Sequence, residues 1–190
     1  MFFPAFLNLT NKKILVVGGG KIAADKIEKL LDFTRSITIL APDLGERTQA
    51  LAQEYGLQHL SRPYEKGDIE DFFLVIVAVD DMELQKAIFE EAQEKKILVN
   101  SVDSTEYCDF IFPSYIKERD LIVAFSTSGA SPALSKYLRR AIQKLLPHDI
   151  GEFVEKLKRL RKSLPKGKKR MELLDQEAKN YIDKHFKDSQ

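Results

Sequence analysis

The chain holds a single cysteine, Cys108, and no tryptophan. One thiol cannot close an internal disulfide, so nothing asks for an oxidising compartment, and zinc sites built on several cysteines are excluded. Charge of one sign is also missing. The 30 Lys and Arg against 29 Asp and Glu leave a net charge of +1, well short of the excess expected of a nucleic-acid binder. Long apolar runs are absent as well. The longest, Phe72–Val79 (FFLVIVAV), has the length of a buried strand rather than of a membrane span. The opening MFFPAFLNL lacks a basic segment and is interrupted by Pro4 and Asn8, so it reads neither as a signal peptide nor as a span. Histidine is scarce, and the isolated His148 and His185 make no metal site. The expectation is a cytoplasmic protein with no nucleic-acid partner, no membrane partner and no metal.

What is present is ample apolar material. Of the 190 residues 44% are hydrophobic, enough for one good domain and a smaller appendage. Lys13–Val17 is apolar on both faces and predicts a buried strand. Gly18-Gly19-Gly20 follows at once, then a helical period over 21–32, then a second strand over 36–41 ended by Pro42. Further strands are expected at 57–60, 72–79, 97–100, 110–112 and 121–127, with helices near 44–55 and 84–92. Strands and helices alternate to about residue 112, which argues an α/β fold with a doubly wound, mostly parallel sheet of Rossmann type. From Ser131 the pattern turns helical. Ser131-Pro132 reads as an N-cap with proline at the first helical position, and Pro147 ends that helix.

The glycine turn is the first chemical signal. Gly18-x-Gly20-x-x-Ala23 fits the dinucleotide fingerprint, placed after a strand and at the opening of a helix. Gly18 permits the tight turn, Gly20 lets the backbone approach a pyrophosphate, and Ala23 allows close helix–strand packing. The alternative is a glycine-rich turn without a ligand. Asp43, just past the second strand, is the candidate for the ribose hydroxyls; the alternative is that it caps the next helix. No arginine follows the strand directly to accept a 2′-phosphate, the nearest being Arg47, which favours NAD over NADP. Asp103 lies just beyond a strand, where this fold gathers its active site. From spacing alone a loop-capping residue is the better reading.

Three blocks in order, VVGGGKIAADK (16–26), VNSVDSTEYCDFIFPS (99–114) and AFSTSGASPALSKYLRRAI (124–142), together with the opening FFPAFLNLTNKKILVVGGG, resemble the precorrin-2 dehydrogenases. That family includes the N-terminal module of bacterial sirohaem synthase. The resemblance covers about residues 3–147. It implies an NAD-binding Rossmann domain over 1–112, a central dimerisation region over 113–147 and a small helical C-terminal domain over 148–190. It implies a homodimer that oxidises precorrin-2 to sirohydrochlorin with NAD as hydride acceptor, iron insertion being an activity of some members only. The family's functional carboxylate falls on Asp103. Its cofactor contacts fall on Lys21 and Ile22 beside Gly18, Gly19 and Gly20, and on Pro42 and Asp43, with Val79 and Asn100 nearby. Val79 stands where relatives often carry threonine. In the block Ser126-Thr127-Ser128-Gly129, Ser128 replaces the first of two glycines, and Thr127 aligns with a serine that is phosphorylated in some members.

Precorrin-2 is an octacarboxylate tetrapyrrole, so its site needs cations and N–H donors. Ser126, Thr127, Ser128, Arg119, Lys136 and Arg139, with Arg140, are the candidates, although for each cation taken singly a solvated helix face is the better reading. Lys156–Arg170 carries nine basic residues and no acidic one. It fits substrate cover, a solvated helix pair or nonspecific nucleic-acid contact. A non-catalytic NAD-sensing module remains the rival reading of the fold.

Overall fold

Four residues, Ile14–Val17, form strand β1, and all four are buried. A strand buried on both faces belongs at the centre of a sheet covered by helices, and β1 takes that place. The computed structural model describes residues 2–102, 104 and 106–186. The first of its two units ends at Ile111. It runs β1, α1 (Lys21–Leu31), β2 (Ile37–Leu40), α2 (Glu46–Tyr55), β3 (Gln58–Leu60), β4 (Leu74–Val77), α3 (Met82–Lys95) and β5 (Leu98–Ser101). The strands pair in the order β3-β2-β1-β4-β5, and every pair is parallel. This is the α/β, Rossmann-type sheet expected.

The order reverses between β1 and β4. Chain direction moves outward from β1 through β2 to β3, then restarts at β4 and moves the other way to β5. Because crossovers are right-handed, α1 and α2 cover one face and α3 the other. Side-chain alternation agrees. Leu15, Val17, Val75, Val77 and Val99 cluster with Ile88 and Ala92 of α3. Ile14, Val16, Ile39 and Ile76, on the opposite register, are fully buried, as are Ala23, Ala24 and Ile27 of α1. Each of these large aliphatics contributes about 1.5–3 kcal/mol by burial. Local signals set the helix ends. Asp81 caps α3 by accepting from the N–H groups of Glu83 and Leu84, and α2 stops at Gly56 in the left-handed region, φ +63°.

The second unit runs from Phe112. It holds an antiparallel hairpin, β6 (Ser114–Glu118) and β7 (Leu121–Phe125), then α4 (Pro132–Leu145), α5 (Ile150–Ser163) and α6 (Lys168–Phe186). The sequence reading placed a strand at 110–112, and none forms there. The segment before it is spent on the sheet edge: Asp109 N–H donates to Val99 O, 2.8 Å, and Ser101 N–H to Tyr107 O, 3.3 Å. Asn100 Nδ2 holds Phe110 O at 2.8 Å, and the strand begins only after Pro113. The hairpin turns through Arg119-Asp120, with Arg119 at φ +56°. β7 ends at Phe125 rather than at Thr127. Ser131 does cap α4, its Oγ accepting from Leu134 N–H at 3.1 Å. Gly151 of α5 is buried against the hairpin: a methyl there would stand 3.0 Å from Glu118 O. No helix of the described residues is long and apolar enough to cross a membrane.

Candidate functional site

Strands β1 and β4 end side by side at the point where strand order reverses, the crevice in which doubly wound folds bind ligands. Gly18 leaves β1 there. Its N–H donates to Leu40 O at 2.9 Å, and its φ is +115°. A methyl on Gly18 would lie 2.3 Å from Ala78 O, so both the turn and the neighbouring strand end require glycine. A methyl on Gly19 would lie 2.2 Å from Asp43 O. Gly20 differs. Nothing lies within 4 Å of where its Cβ would stand, and its backbone is extended, φ −82°. The protein itself therefore leaves that side of the turn open, as a cradle for a phosphate requires.

Gly20 is also the N-cap of α1, and no side chain caps that helix. The first N–H groups of a helix lack intrahelical partners and carry the positive end of its dipole. Lys21 is exposed and Ile22 half-buried in this first turn. The β2–α2 loop closes over the glycines. Gly45 N–H donates to Gly19 O at 2.9 Å, and the hydroxyl of Thr48, which is 1% exposed, donates to Gly20 O at 3.1 Å. Two residues in and just after β3 fasten the loop from the other side. Ser61 Oγ donates to Pro42 O at 2.9 Å, and His59 Nε2 lies 2.9 Å from Ala41 O. Pro42 and Asp43 are exposed on this loop, beside a cleft of about 480 Å³ that also reaches Gln49 and Gln53. Asp43 does not cap α2, whose N-cap is Gly45 with no side-chain bond. Arg47 is held in ion pairs with Asp25 and Glu28 of α1.

A family of NAD(P)-binding domains matches residues 5–114 of the sequence. The chain belongs to this NAD(P)-binding family. The glycine turn, the open side of Gly20 and the uncapped start of α1 fit such a cofactor. Among curated relatives, a siroheme synthase of Neisseria meningitidis serogroup C is 39% identical over 154 residues, 81% of this chain and 32% of that protein. Siroheme synthase 1 of Serratia proteamaculans is 38% identical over 154 residues, again 81% and 32%. A siroheme synthase of Pseudoalteromonas atlantica is 38% identical over 160 residues, 83% and 35%. The chain thus spans about a third of the length of these relatives. Among solved structures, SirC, a precorrin-2 dehydrogenase, superposes with a TM-score of 0.75 at 24% identity, covering 92% of this chain and 88% of that one. This likeness shows the shared fold.

The other nominated residues fall in different surroundings. Val79 follows β4 beside the glycine turn, its side chain 3.4 Å from the Cβ position of Gly18; its carbonyl accepts from Gln85 Nε2 at 2.7 Å. Asn100 is 4% exposed. Its amide holds Phe110 O, while its Oδ1 accepts from Lys26 Nζ at 3.3 Å, so it ties Phe110 and α1 to β5. Asp103 lies outside the described residues. Cys108 donates to Ser104 O at 2.9 Å and sits against Ser101 O at 3.1 Å. Burial pushes its thiol above the ordinary range despite nearby Lys26, which leaves it protonated and a poor nucleophile.

In the second unit Ser126, Thr127 and Ser128 form the link from β7 to α4. Thr127 Oγ1 accepts from Ser131 N–H at 2.9 Å and lies 3.4 Å from Ser135 Oγ. Ser128 has φ +52°, which explains why a glycine suits this position. Arg119 sits at the far end of the hairpin, in the turn, and its guanidinium grips Glu152 at 2.9 Å and Glu155 at 2.6 Å. Lys136 is exposed on α4, and Arg139 donates to Gln143 Oε1 at 2.8 Å. Within the basic segment, Lys156 pairs with Glu177 and Lys158 with Asp120. Sequence reading missed Thr48, Gly45, His59 and Ser61. Their contacts join positions far apart in the chain, and no local pattern marks them.

Proposed function

We propose that the chain is an NAD-dependent precorrin-2 dehydrogenase that forms sirohydrochlorin in sirohaem biosynthesis. The observation that carries this reading is the glycine turn opening at the switch point of the sheet, in a chain 38–39% identical over four-fifths of its length to siroheme synthases. The precorrin-2 dehydrogenase SirC supplies the same fold. NAD, when bound, accepts the hydride. The chain's own residues do the rest. Gly18, Gly19 and Gly20 shape the pyrophosphate cradle, and the first turn of α1 at Lys21 and Ile22 supplies N–H donors. Pro42 and Asp43 meet the adenosine ribose. The pairing of Arg47 with Asp25 and Glu28 favours NAD, because a 2′-phosphate finds no uncommitted arginine on this loop.

Asp103 takes the proton or orients the macrocycle, a role that typically contributes about 10²–10⁴ in rate. Ser126, Thr127, Ser128, Lys136 and Arg139 serve the substrate carboxylates. Arg119, committed to two glutamates, is assigned to holding α5 on the hairpin instead. Division of labour follows: cofactor binding in 1–112, dimerisation through 113–147 and a helical domain over 148–190. The dimer is supported by α4, which exposes Leu134, Tyr137, Leu138 and Leu145 on one face. Cytoplasmic residence is consistent with the lone reduced thiol.

Anaerobic incubation with precorrin-2 and NAD, without metal, tests the proposal. NADH must form in step with the absorption of sirohydrochlorin. Binding of NAD with no turnover makes the chain a sensing module instead. Asp103→Ala should retain NAD binding and lose most oxidation; wild-type turnover in that variant removes Asp103 from the chemistry.

A further inference from the structure

We infer that Thr48 is a positioning residue for the cofactor, clamping the glycine turn from α2; the inference rests on the NAD site proposed above. Two consecutive peptide groups of the turn are held from one side. The Gly19 carbonyl accepts from Gly45 N–H at 2.9 Å, and the Gly20 carbonyl accepts from the Thr48 hydroxyl at 3.1 Å. In a trans peptide the N–H points opposite to the C=O. Fixing these two oxygens toward α2 therefore turns the N–H groups of Gly20 and Lys21 to the other side. Gly20 adds no side chain to this turn, and the space at its Cβ position is open. The Gly20 oxygen also accepts from Ala24 N–H at 3.1 Å, so Thr48 adds a second constraint to the first bond of α1.

Thr48 is fitted to this task. It is 1% exposed and occupies the first turn of α2, where its hydroxyl reaches 28 residues back along the chain. The same short segment brings Asp43, whose carbonyl packs on Gly19. The ribose loop and the phosphate turn are thus one fastened piece, and the hydroxyl of Thr48 is its far pin. Valine has the same shape and lacks the donor, so Thr48→Val removes the pin and leaves the packing. Thr48→Ser keeps the hydroxyl.

The test is calorimetric titration of the full chain with NAD, beside steady-state turnover of precorrin-2. Thr48→Val should weaken NAD binding and raise KM for NAD by about three- to tenfold, the range that one hydrogen bond of about 0.5–1.5 kcal/mol sets when its loss falls on the binding conformation of the turn, with kcat within about twofold of wild type. Thr48→Ser should restore both to near wild-type values. A role confined to stability predicts a lower Tm with unchanged KM, and that result overturns the inference. So does a Thr48→Ser variant as weak as Thr48→Val. If Thr48→Val does not fold, Thr48→Ala takes its place, and failure of both to fold makes Thr48 a folding residue and ends the proposal. Wild-type protein that binds no NAD brings down the cofactor reading itself. Wild-type protein that binds, matched by Thr48→Val, brings down the clamp alone.

Discussion

Gly18 and Gly20 stand two residues apart in one motif, yet the structure predicts opposite consequences of substituting them. Gly18→Ala places a methyl 2.3 Å from Ala78 O at a φ of +115°. The disfavoured backbone costs about 1–3 kcal/mol, and the displaced strand end a further amount of about 1–3 kcal/mol. Against a total stability of roughly 5–15 kcal/mol, that is a severe loss. For a domain of this size it lowers Tm by roughly 5–20 °C. Gly20→Val meets no protein atom within 4 Å of its Cβ, on an extended backbone that any residue adopts. Only the N-cap preference is lost, up to about 1 kcal/mol. Its side chain fills the space where the pyrophosphate approaches, so NAD binding should fall below detection. Calorimetric melting and NAD titration of both variants decide the matter. A Gly20→Val protein that binds NAD normally refutes the cradle. A Gly18→Ala protein that melts with wild type refutes the packing argument.

Ser128→Gly should stabilise the protein by about 0.5–1 kcal/mol, because it relieves a left-handed backbone at φ +52° against a small gain in unfolded-chain entropy; chemical denaturation reads it. Asp68 is held below the ordinary carboxylate range by Arg62 and by the N–H of Glu65. A depressed folded pKa gives stability that is present above about pH 4 and is lost as pH falls through the folded value. Asp68→Asn should thus be less stable at pH 7 by about 1 kcal/mol, near the lower range because Arg62 is partly exposed, and should match wild type at the acid end of a pH series. Leu134→Asp with Leu138→Asp should convert a dimer to a monomer in light scattering while leaving NAD binding intact; wild-type protein that is monomeric at every concentration removes α4 as an interface.

The sheet was legible because its strands obey a local rule. Ile14–Val17 and Leu74–Val77 are apolar on both faces, as strands of a parallel sheet covered on both sides are, and Ile37–Leu40 departs from this only at Thr38. The glycine turn was legible for a related reason: its demands, a tight turn, an open backbone and a small residue at Ala23, fall within six positions. Where the reading failed, non-local bonds had taken over. Phe110–Phe112 has the composition of a strand, yet Asn100 and the edge of β5 claim the adjoining backbone. Nothing near Phe110 in sequence announces that claim. Ser114–Glu118 went unread as a strand because Lys117 and Glu118 break its apolar pattern, although the pairing with Leu121–Phe125 requires only a two-residue turn.

The same distinction separates the nominated site residues. Gly18 and Gly20 are legible through the backbone spacing of the motif, and Asp43 through its place just past β2. Arg119 and Asn100 have side chains that the folded chain engages, one with Glu152 and Glu155, the other with Phe110 and Lys26. Arg47 is a further case. Sequence offers it as the nearest candidate for a 2′-phosphate, and its two ion pairs with α1 withdraw it. Those partners, Asp25 and Glu28, lie on a different helix, and no spacing near the end of β2 announces them.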